Sequence, residues 1–503
     1  MADRTPVLGE ATVFSDYAAV VGARAMLGVL ALGSVAFTTR LLTPSEFGGL
    51  SLFFVVSLLT VTAASAWTSA AVSRFGREEL ELTGSMFGIT SARAVFVVPA
   101  FLVAVPVVLV LQSTGVLPAA FTRSLALLSV GYAAVWILFD HVVYMLETWG
   151  RQKVSAIAVL IQQVAYVGAV ATLYAAHIQV GPVDVALIAL TGMAVLVLVI
   201  GLMVRRVAFA ARRPARMLVR RVWTYSRPLI AFVASQYIMR SVDVLVIGTF
   251  STAAAVGTYA LAYQGYGVIQ QLATTAGPVF TPLLVSLRMA QRDSAIRVYV
   301  ERLVPKLAFI ASAVAAVAMA PVFRLVPELL GPGFGQTRLP LALLFSAGVV
   351  FLMASLLSPV ITVFDRTGAT AVLNLAAAAV NAALDLILIG ALGAGIWAAA
   401  VATIASVAIV WIGYAIVAAD CLGTKGRPSL VPLVPLVVAT VPLAALHGDI
   451  AILASTGAAL ATSLAAFIYG ALFNRGDIGL LDALDMPESL RRWTIRLLQL
   501  TRA

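Results

Sequence analysis

Runs of apolar residues long enough to cross a lipid bilayer recur along the whole chain, and they constrain its fold more than any other feature. A spanning helix needs about 20 predominantly apolar residues. Hydrophobic residues make up 62% of the chain and charged residues only 11%, whereas a soluble domain carries roughly 25% charged residues. We therefore predict an all-α integral membrane protein with about fourteen transmembrane helices, at residues 19–40, 48–72, 87–111, 123–145, 154–176, 184–204, 228–250, 254–286, 304–326, 339–363, 370–391, 394–418, 430–447 and 450–473.

Basic residues alternate from one inter-helix loop to the next, and this pattern predicts the orientation of the chain. Cytoplasmic loops collect Arg and Lys. With the N-terminus inside, the outer loops hold only single arginines at their edges, Arg40, Arg123 and Arg338. The inner segments hold the rest, including Arg74, Arg77, Arg151, Lys153, residues 205–227 and 288–306, Arg366, Lys425, Arg427 and the C-terminal tail. We expect both termini to be cytoplasmic, and this topology explains the net charge of +11 without a nucleic-acid partner.

A weak internal repeat predicts two similar halves. Residues 37–52 (FTTRLLTPSEFGGLSL) and 246–261 (VIGTFSTAAAVGTYAL) each end a helix, turn through small and polar residues, and restart with an apolar residue followed by glycine. An even number of predicted helices separates the two turns, so the halves form a parallel repeat, an arrangement that favours a central cavity and a transporter. We predict an N-lobe at 1–204 (helices 1–6), an Arg-rich cytoplasmic connector at 205–227, a C-lobe at 228–420 (helices 7–12), two extra helices at 421–473 and a cytoplasmic amphipathic tail at 474–503.

The hydrophilic segments are too short to form a catalytic domain, the longest being residues 205–227 and 474–503. The sequence contains no GxxxxGK[ST] motif for binding ATP, and its single cysteine and three histidines form no cluster with metal-ligand spacing. We therefore predict a secondary transporter without catalytic residues, a metal site or a cofactor. Its energy source would be a H⁺ or Na⁺ gradient, the membrane potential or downstream use of the substrate.

Charged and amide side chains inside the predicted helices are the candidate functional residues. A charge at the centre of a spanning helix costs about 2.5–3.5 kcal/mol on insertion scales, so it persists where it is paired or faces water. Gln236, Arg240 and Asp243 share one face of helix 7. We assign a substrate-binding role to Arg24, Arg93, Gln236, Arg240, Gln264, Gln271 and Asn381, and an ion-coupling role to Asp140, Asp243 and Asp385.

A structural role is the alternative for each of these residues. Arg240 and Asp243 could form a neutral pair that locks helix packing, and Asn381 with Asp385 could clamp two helices by hydrogen bonds. Arg24 and Arg93 lie near enough to the inner edge to snorkel, as could Asp140. Taken together, arginines and amides at different depths suit a ladder for an anion.

Four segments occur in a characteristic order. They are RLLTPSEFG at 40–48, RSVDVLVIGTF followed by VGTYALAY at 240–263, PELLGPGFG at 327–335, and NLAAAAVNAALDLILIGALGAGIWAAAVAT at 374–403. This order, spanning about residues 15–420, resembles the polysaccharide flippases of the multidrug, oligosaccharidyl-lipid and polysaccharide (MOP) exporter superfamily. Relatives there include the lipid II flippase and the multidrug and toxin extrusion (MATE) antiporters.

The resemblance implies two six-helix lobes and alternating access around a central cationic cavity. It also implies a flippase of the bacterial inner membrane, which moves undecaprenyl-diphosphate-linked oligosaccharide repeat units for O-antigen, exopolysaccharide or capsule biosynthesis. Arg24 could fill the role of an arginine on helix 1 of the lipid II flippase, and Arg240 lies where a second cavity cation is expected. The implied partners are the lipid-linked oligosaccharide, membrane lipids, and polymerases or glycosyltransferases.

The residue chemistry agrees with such a substrate. Arg binds phosphate in a bidentate manner and stays charged, and Gln and Asn suit sugar hydroxyls. One alternative is a MATE-like ion-coupled antiporter for small molecules, which would need a cavity dominated by carboxylates. Another is a non-transporting membrane scaffold for a glycan synthesis complex.

The loop charges generate a topology prediction. With Cys421 replaced by Ser, single cysteines at Ser45, Gln179 and Ser251 should react with a membrane-impermeant maleimide added to intact cells, because these positions lie in outer loops. Cysteines at Gln291 and Thr424 should react only after the membrane is permeabilised. Labelling of the last two positions in intact cells would overturn the predicted orientation.

Overall fold

Helices make up almost all of the described chain. The computed structural model describes residues 10–208, 216–274, 276–424, 430–445 and 448–468, and for some of these, Arg24 among them, it describes only the backbone. The helices are α1 Glu10–Leu41, α2 Pro44–Ala64, α3 Ser69–Thr83, α4 Phe87–Ser113, α5 Arg123–Thr148, α6 Gln152–Ala175, α7 Pro182–Ala208, α8 Arg216–Phe250, α9 Ala253–Thr274, α10 Ala276–Met289, α11 Asp293–Val298, α12 Val304–Leu330, α13 Arg338–Val363, α14 Thr367–Asp385, α15 Ile396–Leu422, α16 Val434–Ala445 and α17 Gly448–Ile468. Short 3₁₀ segments lie at Ala66–Thr68, Pro332–Thr337 and Val431–Leu433, and π-helical turns lie at Tyr299–Leu303 and Leu386–Ala391.

The prediction of an all-α membrane protein is confirmed, and every predicted apolar run overlaps a helix. Within the described ranges, ten helices are long and apolar enough to cross a membrane, and three shorter apolar helices lie at Met26–Leu41, Val431–Thr440 and Ile452–Ala465. The predicted number of fourteen spans is therefore not established. Helix α9 is absent from the ten, and its residues Gln264, Gln270 and Gln271 lower its apolar content.

Two predicted spans differ from the helices observed. The run 48–72 is not one helix, because α2 ends at Ala64 and α3 begins at Ser69 after a 3₁₀ turn. At this break the Thr68 hydroxyl donates to the Ser65 carbonyl oxygen over 2.6 Å, a local bond that competes with the helical pattern. The run 254–286 forms two helices, α9 and α10, and Gly277 and Pro278 lie in the first turn of α10.

The chain divides into two compact units. Unit 1 contains Met1–Gln264, Leu329–Phe334 and Asn374–Ala402, and unit 2 contains Gly265–Glu328, Gly335–Leu373 and Thr403–Ala503. Within unit 1, α2 packs on α4, α5 and α8, while α5 also packs on α7 and α1 packs on α6. Within unit 2, α13 packs on α10 and α16, and α16 packs on α17. The predicted lobe boundaries at 204 and 228 remain a prediction.

Helices α2 and α5 of unit 1 pack closely through small side chains. Ser57, Ala64, Ser129 and Ala133 are all fully buried, and the Ser57 hydroxyl lies 3.1 Å from the Ser129 carbonyl oxygen. Lipid tails are as apolar as leucine, so helices in a bilayer associate through close packing of small residues and through interhelical hydrogen bonds. This packing fixes the frame on which the polar residues of unit 1 are placed.

The two turns of the predicted internal repeat contact each other directly in unit 1. A Cβ atom placed on Gly48 would collide with the carbonyl oxygen of Ala253, and one placed on Gly257 would collide with that of Pro44. Gly48 is the fifth residue of α2, and Gly257 is the fifth residue of α9. The contact is therefore reciprocal and in equal register, as in an interface with two-fold symmetry.

This contact predicts that glycine is required at both positions. Gly48→Ala and Gly257→Ala should each lower the free energy of unfolding by about 1–3 kcal/mol, because the added methyl group overpacks against backbone atoms. The measurement is thermal unfolding of the purified protein in detergent. The control is Gly267→Ala on α9, where a Cβ would meet no atom within 4 Å, so the helix propensity of Ala should leave stability equal or raised. Wild-type unfolding temperatures for both test variants would contradict the close approach.

Candidate functional site

A buried carboxylate on α8 forms the centre of the candidate site. Asp243 is fully buried, and the hydroxyl of the equally buried Tyr259, on α9, donates a hydrogen bond to its Oδ2 atom. A charged or polar group buried in an apolar environment persists where it is hydrogen-bonded. Tyr259 therefore helps to hold Asp243 in position, directed away from the lipid.

A second buried carboxylate lies beside the first. Asp385, the last residue of α14, is 0% exposed, and its carboxyl group lies within hydrogen-bonding reach of Asp243 when one of the two holds a proton. Asn381 lies one turn earlier on the same face of α14 and is also fully buried. Within the described part of the chain, neither polar atom of the Asn381 amide has a hydrogen-bond partner, and the oxygens of Asp385 have none unless a proton is shared with Asp243. Such groups call for an explanation, and an ion that the site binds supplies one.

The backbone changes where Asp385 ends its helix. Residues Leu386–Ala391 form a π-helical turn directly after it, and Gly390 in this turn packs on the ring of Phe250 at the end of α8. A π-helical turn inside a helix occurs frequently at functional sites. The end of α14 is therefore held against α8 close to the two carboxyl groups.

The donor set of this site suits a proton or a small hard cation. Two carboxylates this close repel each other when both are ionised, so a proton or a cation between them is favourable. Carboxylate and amide oxygens are the ligands that hard cations prefer. The structure thus brings together Asp243 and Asp385, two of the three predicted ion-coupling residues, with Asn381, which the sequence assigned to the substrate.

Polar side chains also join α8 and α14 two turns away. The Gln236 amide donates to Asn374 Oδ1 over 2.9 Å. Gln236 precedes Asp243 on α8 by the same seven residues that separate Asn374 from Asn381 on α14, and seven residues are close to two helical turns. The polar side chains at this spacing on α8 and α14 therefore face each other.

The alternative of a neutral pair between Arg240 and Asp243 is not what the structure shows. Arg240 is exposed, and among the described residues it makes no hydrogen bond or ion pair. Three residues advance a helix by about 300°, so the two side chains leave α8 about 60° apart. This offset lets the short Asp243 side chain enter the packing with α9 and α14 while the Arg240 guanidinium stays outside it. Arg240 therefore keeps its hydrogen-bonding capacity for another anion.

Arg93 on α4 is buried and hydrogen-bonded to two hydroxyl groups and a histidine. It is 3% exposed, and it donates from Nε to Thr68 Oγ1 over 2.9 Å, from Nη2 to Ser69 Oγ over 3.1 Å and from Nη1 to His141 Nδ1 over 2.8 Å. Because His141 Nδ1 accepts, the histidine proton lies on Nε2, which is 3.1 Å from Thr90 Oγ1. Arg93 thus ties the break between α2 and α3 to α5, and it does not snorkel to the surface.

The remaining predicted site residues lie apart from these clusters. Gln264 and Gln271 are exposed on α9, the first in unit 1 and the second in unit 2. Asp140 is half-buried on α5, where it is an electrostatic neighbour of Arg93. Arg24 lies in α1, and its side chain is outside the described part of the structure. The substrate-binding and ion-coupling roles of all these residues stay predictions.

Sequence reasoning missed the hydrogen-bonding partners of both buried charges. Tyr259 lies in the VGTYALAY segment, and Thr68 and Ser69 lie in a run that was expected to be one continuous helix. One signal was available for the tyrosine, because a tyrosine buried in an apolar helix needs a partner for its hydroxyl group. For Thr68 and Ser69 the helix break had to be known first.

The fold has clear counterparts among solved structures. The chain is similar to the lipid II flippase MurJ in an inward closed conformation, with 13% identity, a TM-score of 0.64 and coverage of 91% of this chain and 99% of that chain. It is also similar to an inward-facing multidrug resistance MATE family transporter of the MOP superfamily, with 14% identity, a TM-score of 0.54 and coverage of 82% and 100%. The molecule thus has the fold of MOP-superfamily flippases and transporters, as its sequence resemblance implied.

Comparison of the sequence with protein-family models identifies one family within the class of MOP-superfamily flippases and transporters. A family model described as polysaccharide biosynthesis protein matches residues 19–288, which is more than half of the 503 residues. The chain belongs to this polysaccharide biosynthesis protein family. No curated protein gives a significant match.

The buried site generates a prediction about Tyr259. Tyr259→Phe should lower the free energy of unfolding by about 1–3 kcal/mol, because it removes a hydrogen bond to a buried carboxylate. The measurement is thermal unfolding in detergent. The matched control is Tyr263→Phe, one turn further along α9, whose hydroxyl donates over 3.3 Å to the Met239 carbonyl oxygen. Tyr263→Phe should lower the free energy of unfolding by less than Tyr259→Phe does. Equal losses would show that the hydrogen bond to Asp243 stabilises the protein no more than the bond to the Met239 carbonyl oxygen.

Proposed function

We propose that this protein is a flippase that moves undecaprenyl-diphosphate-linked oligosaccharide repeat units across the bacterial inner membrane for O-antigen, exopolysaccharide or capsule biosynthesis. The observation that carries the proposal is an exposed arginine, Arg240, one turn from a buried carboxylate site on the same helix. Membership of the polysaccharide biosynthesis protein family and the flippase-like fold support it. The chain acts as a transporter without catalysing a covalent step, and both termini are cytoplasmic.

The substrate has three chemically distinct parts, and each has a counterpart in the proposal. The undecaprenyl chain stays in the bilayer. The diphosphate binds to the guanidinium group of Arg240, and Arg24 supplies the second cation. Arginine suits this role because it binds phosphate in a bidentate manner and stays charged. The hydrated glycan takes exposed amides, for which Gln236 and Gln264 are the candidates in unit 1 and Gln271 is a separate candidate in unit 2.

Ion coupling is assigned to the Asp243, Asp385 and Asn381 cluster. A proton or a sodium ion bound there offsets the repulsion between two buried carboxylates and draws α8 towards α14. Arg240 leaves α8 at an angle to this cluster, so a displacement of α8 changes both sites together. Helix α8 would therefore couple ion binding at the carboxylate cluster to substrate binding at Arg240, and the size of this effect is the coupling free energy between the two sites. The polymerases and glycosyltransferases of glycan synthesis are the proposed partners.

A second candidate function is a MATE-like antiporter for cationic small molecules. The likeness to the MATE transporter structure and the buried carboxylates favour it. In this case Asp243 and Asp385 would alternate between the ion and the transported cation. Arg240 would then repel the substrate, so its removal would not slow transport.

The test is a flipping assay in proteoliposomes. Purified protein is reconstituted with an undecaprenyl-diphosphate oligosaccharide, and the fraction accessible to a membrane-impermeant glycosidase is followed with time. Wild-type protein should expose the inner-leaflet pool. Arg240→Ala should slow flipping about tenfold to a hundredfold, as expected when a hydrogen-bonded charge is lost, and Arg24→Ala should do the same. Arg240→Lys should recover part of the rate, because Lys keeps the charge without the fork of donors.

A control variant and a test of ion dependence distinguish the flippase from the antiporter and from a non-transporting scaffold. Arg302→Ala removes another exposed arginine, in unit 2, and should flip at the wild-type rate. Asp385→Asn should abolish any dependence of the rate on an imposed pH or sodium gradient. Transport of a cationic dye with no flipping would favour the antiporter, and transport of neither would favour a non-transporting scaffold. Wild-type flipping by both Arg→Ala variants would overturn the substrate-binding assignment.

A further inference from the structure

An apolar groove of about 410 Å³ lies between α14 and α15 in unit 2. Val372 and Ile416 on its two walls are 67% and 59% exposed, so the groove is open along its length. It is lined by small and aliphatic residues only, namely Gly368, Ala369, Val372, Leu373, Gly413, Ile416 and Val417. Both helices are apolar enough to span a membrane, so the groove faces hydrocarbon and fits a flexible aliphatic chain.

Two groups of opposite charge lie at one end of this groove. Arg366 directly precedes α14, and Asp420 lies two residues before the end of α15. Arg366 Nη2 and Asp420 Oδ2 are 3.9 Å apart, and their side chains are 61% and 75% exposed. This contact is at the outer limit of an ion pair. Arg366, which also lies beside Cys421, carries five N–H donors, and the carboxylate of Asp420 is largely exposed, so both groups keep capacity for a ligand. The loop charges predict that this end of the helices is cytoplasmic.

The spacing matches the depth of a membrane interface. Gly413 lies seven residues before Asp420, which is about 10 Å along a helix. A lipid with its headgroup at the charged pair would therefore place the first part of one acyl chain in the groove. Headgroup and chain would be bound by adjacent parts of one continuous surface.

The positive charge of Arg366 and the negative charge of Asp420 determine which phospholipid headgroup fits between them. A phosphate can accept hydrogen bonds from Arg366, and a primary ammonium group can donate to the Asp420 carboxylate. Phosphatidylethanolamine carries both groups next to each other. Phosphatidylcholine has a quaternary ammonium group without N–H donors, and phosphatidylglycerol has no cation to offer Asp420. We propose that the α14–α15 groove with Arg366 and Asp420 is a binding site for phosphatidylethanolamine. This site is independent of the transported substrate.

The experiment is native mass spectrometry of the full chain in detergent. The delipidated protein is incubated with an equimolar mixture of phosphatidylethanolamine, phosphatidylcholine and phosphatidylglycerol that carry identical acyl chains. The first bound lipid should be phosphatidylethanolamine, with about a twofold to fivefold preference over each of the others, the range that one solvent-exposed charge pair supplies. Asp420→Asn should abolish the preference over phosphatidylcholine, and Arg366→Gln should weaken binding of all three phospholipids.

Matched variants separate this site from general solvation by lipid. Glu301→Gln removes an exposed acidic side chain elsewhere in unit 2 and should keep the preference. Ala369→Phe should fill the groove and lower retention whatever the headgroup, and Val372→Trp, at an exposed position, does the same if the first variant does not fold. An equal affinity of the wild type for the three lipids would overturn the proposal. So would a preference for phosphatidylglycerol, or a preference that survives Asp420→Asn.

Discussion

A lipid bilayer offers no hydrogen bonds to a polypeptide backbone, and the architecture of this protein follows from that constraint. Each carbonyl and amide group inside the hydrocarbon must find its partner within the protein, so the chain crosses as helices. Polar side chains obey the same rule. Thr38, Ser51 and Thr60 donate to carbonyl oxygens one turn earlier on their own helices, and the buried guanidinium of Arg93 bonds to neighbouring helices. Polar groups that the protein does not satisfy internally are therefore informative, and in the described part of the chain Asn381 and Asp385 are the clearest of them.

Helix α8 carries two groups of opposite charge on adjacent sides. One side presents Asp243 to α9 and α14, where Tyr259 and Asp385 meet it. The adjacent side presents Arg240 outside that packing. A direct pair between the two residues would have cancelled both charges and left little for a ligand. Because the pair is absent, the proposed cation site at Asp243 and the proposed anion site at Arg240 do not compete for the same atoms.

The fold was largely predictable from the sequence, because long apolar runs have few alternatives to membrane helices. The errors arose where local hydrogen bonding outweighed hydropathy. Residues 48–72 are apolar enough for one span, yet Ser65 and Thr68 interrupt it with hydroxyl–backbone bonds. The polar stripes of α8 and α14 were also predictable, since seven-residue spacing fixes the face on which a residue lies. Spacing does not show which side of a helix is buried, so it left open a direct Arg240–Asp243 pair that the structure does not contain. Partners distant in sequence, such as His141 for Arg93, depend on tertiary packing.

The reciprocal contact between Gly48 and Gly257 has an energetic consequence for movement. It consists of glycine Cα atoms and backbone carbonyl groups, and such Cα–H···O interactions contribute about 0.5–1 kcal/mol each. The contact at the two glycines therefore contributes little to the energy that holds the helices together. Glycine at both positions lets α2 and α9 approach more closely than any larger residue would allow, yet this close approach adds no strong bond that would oppose their separation.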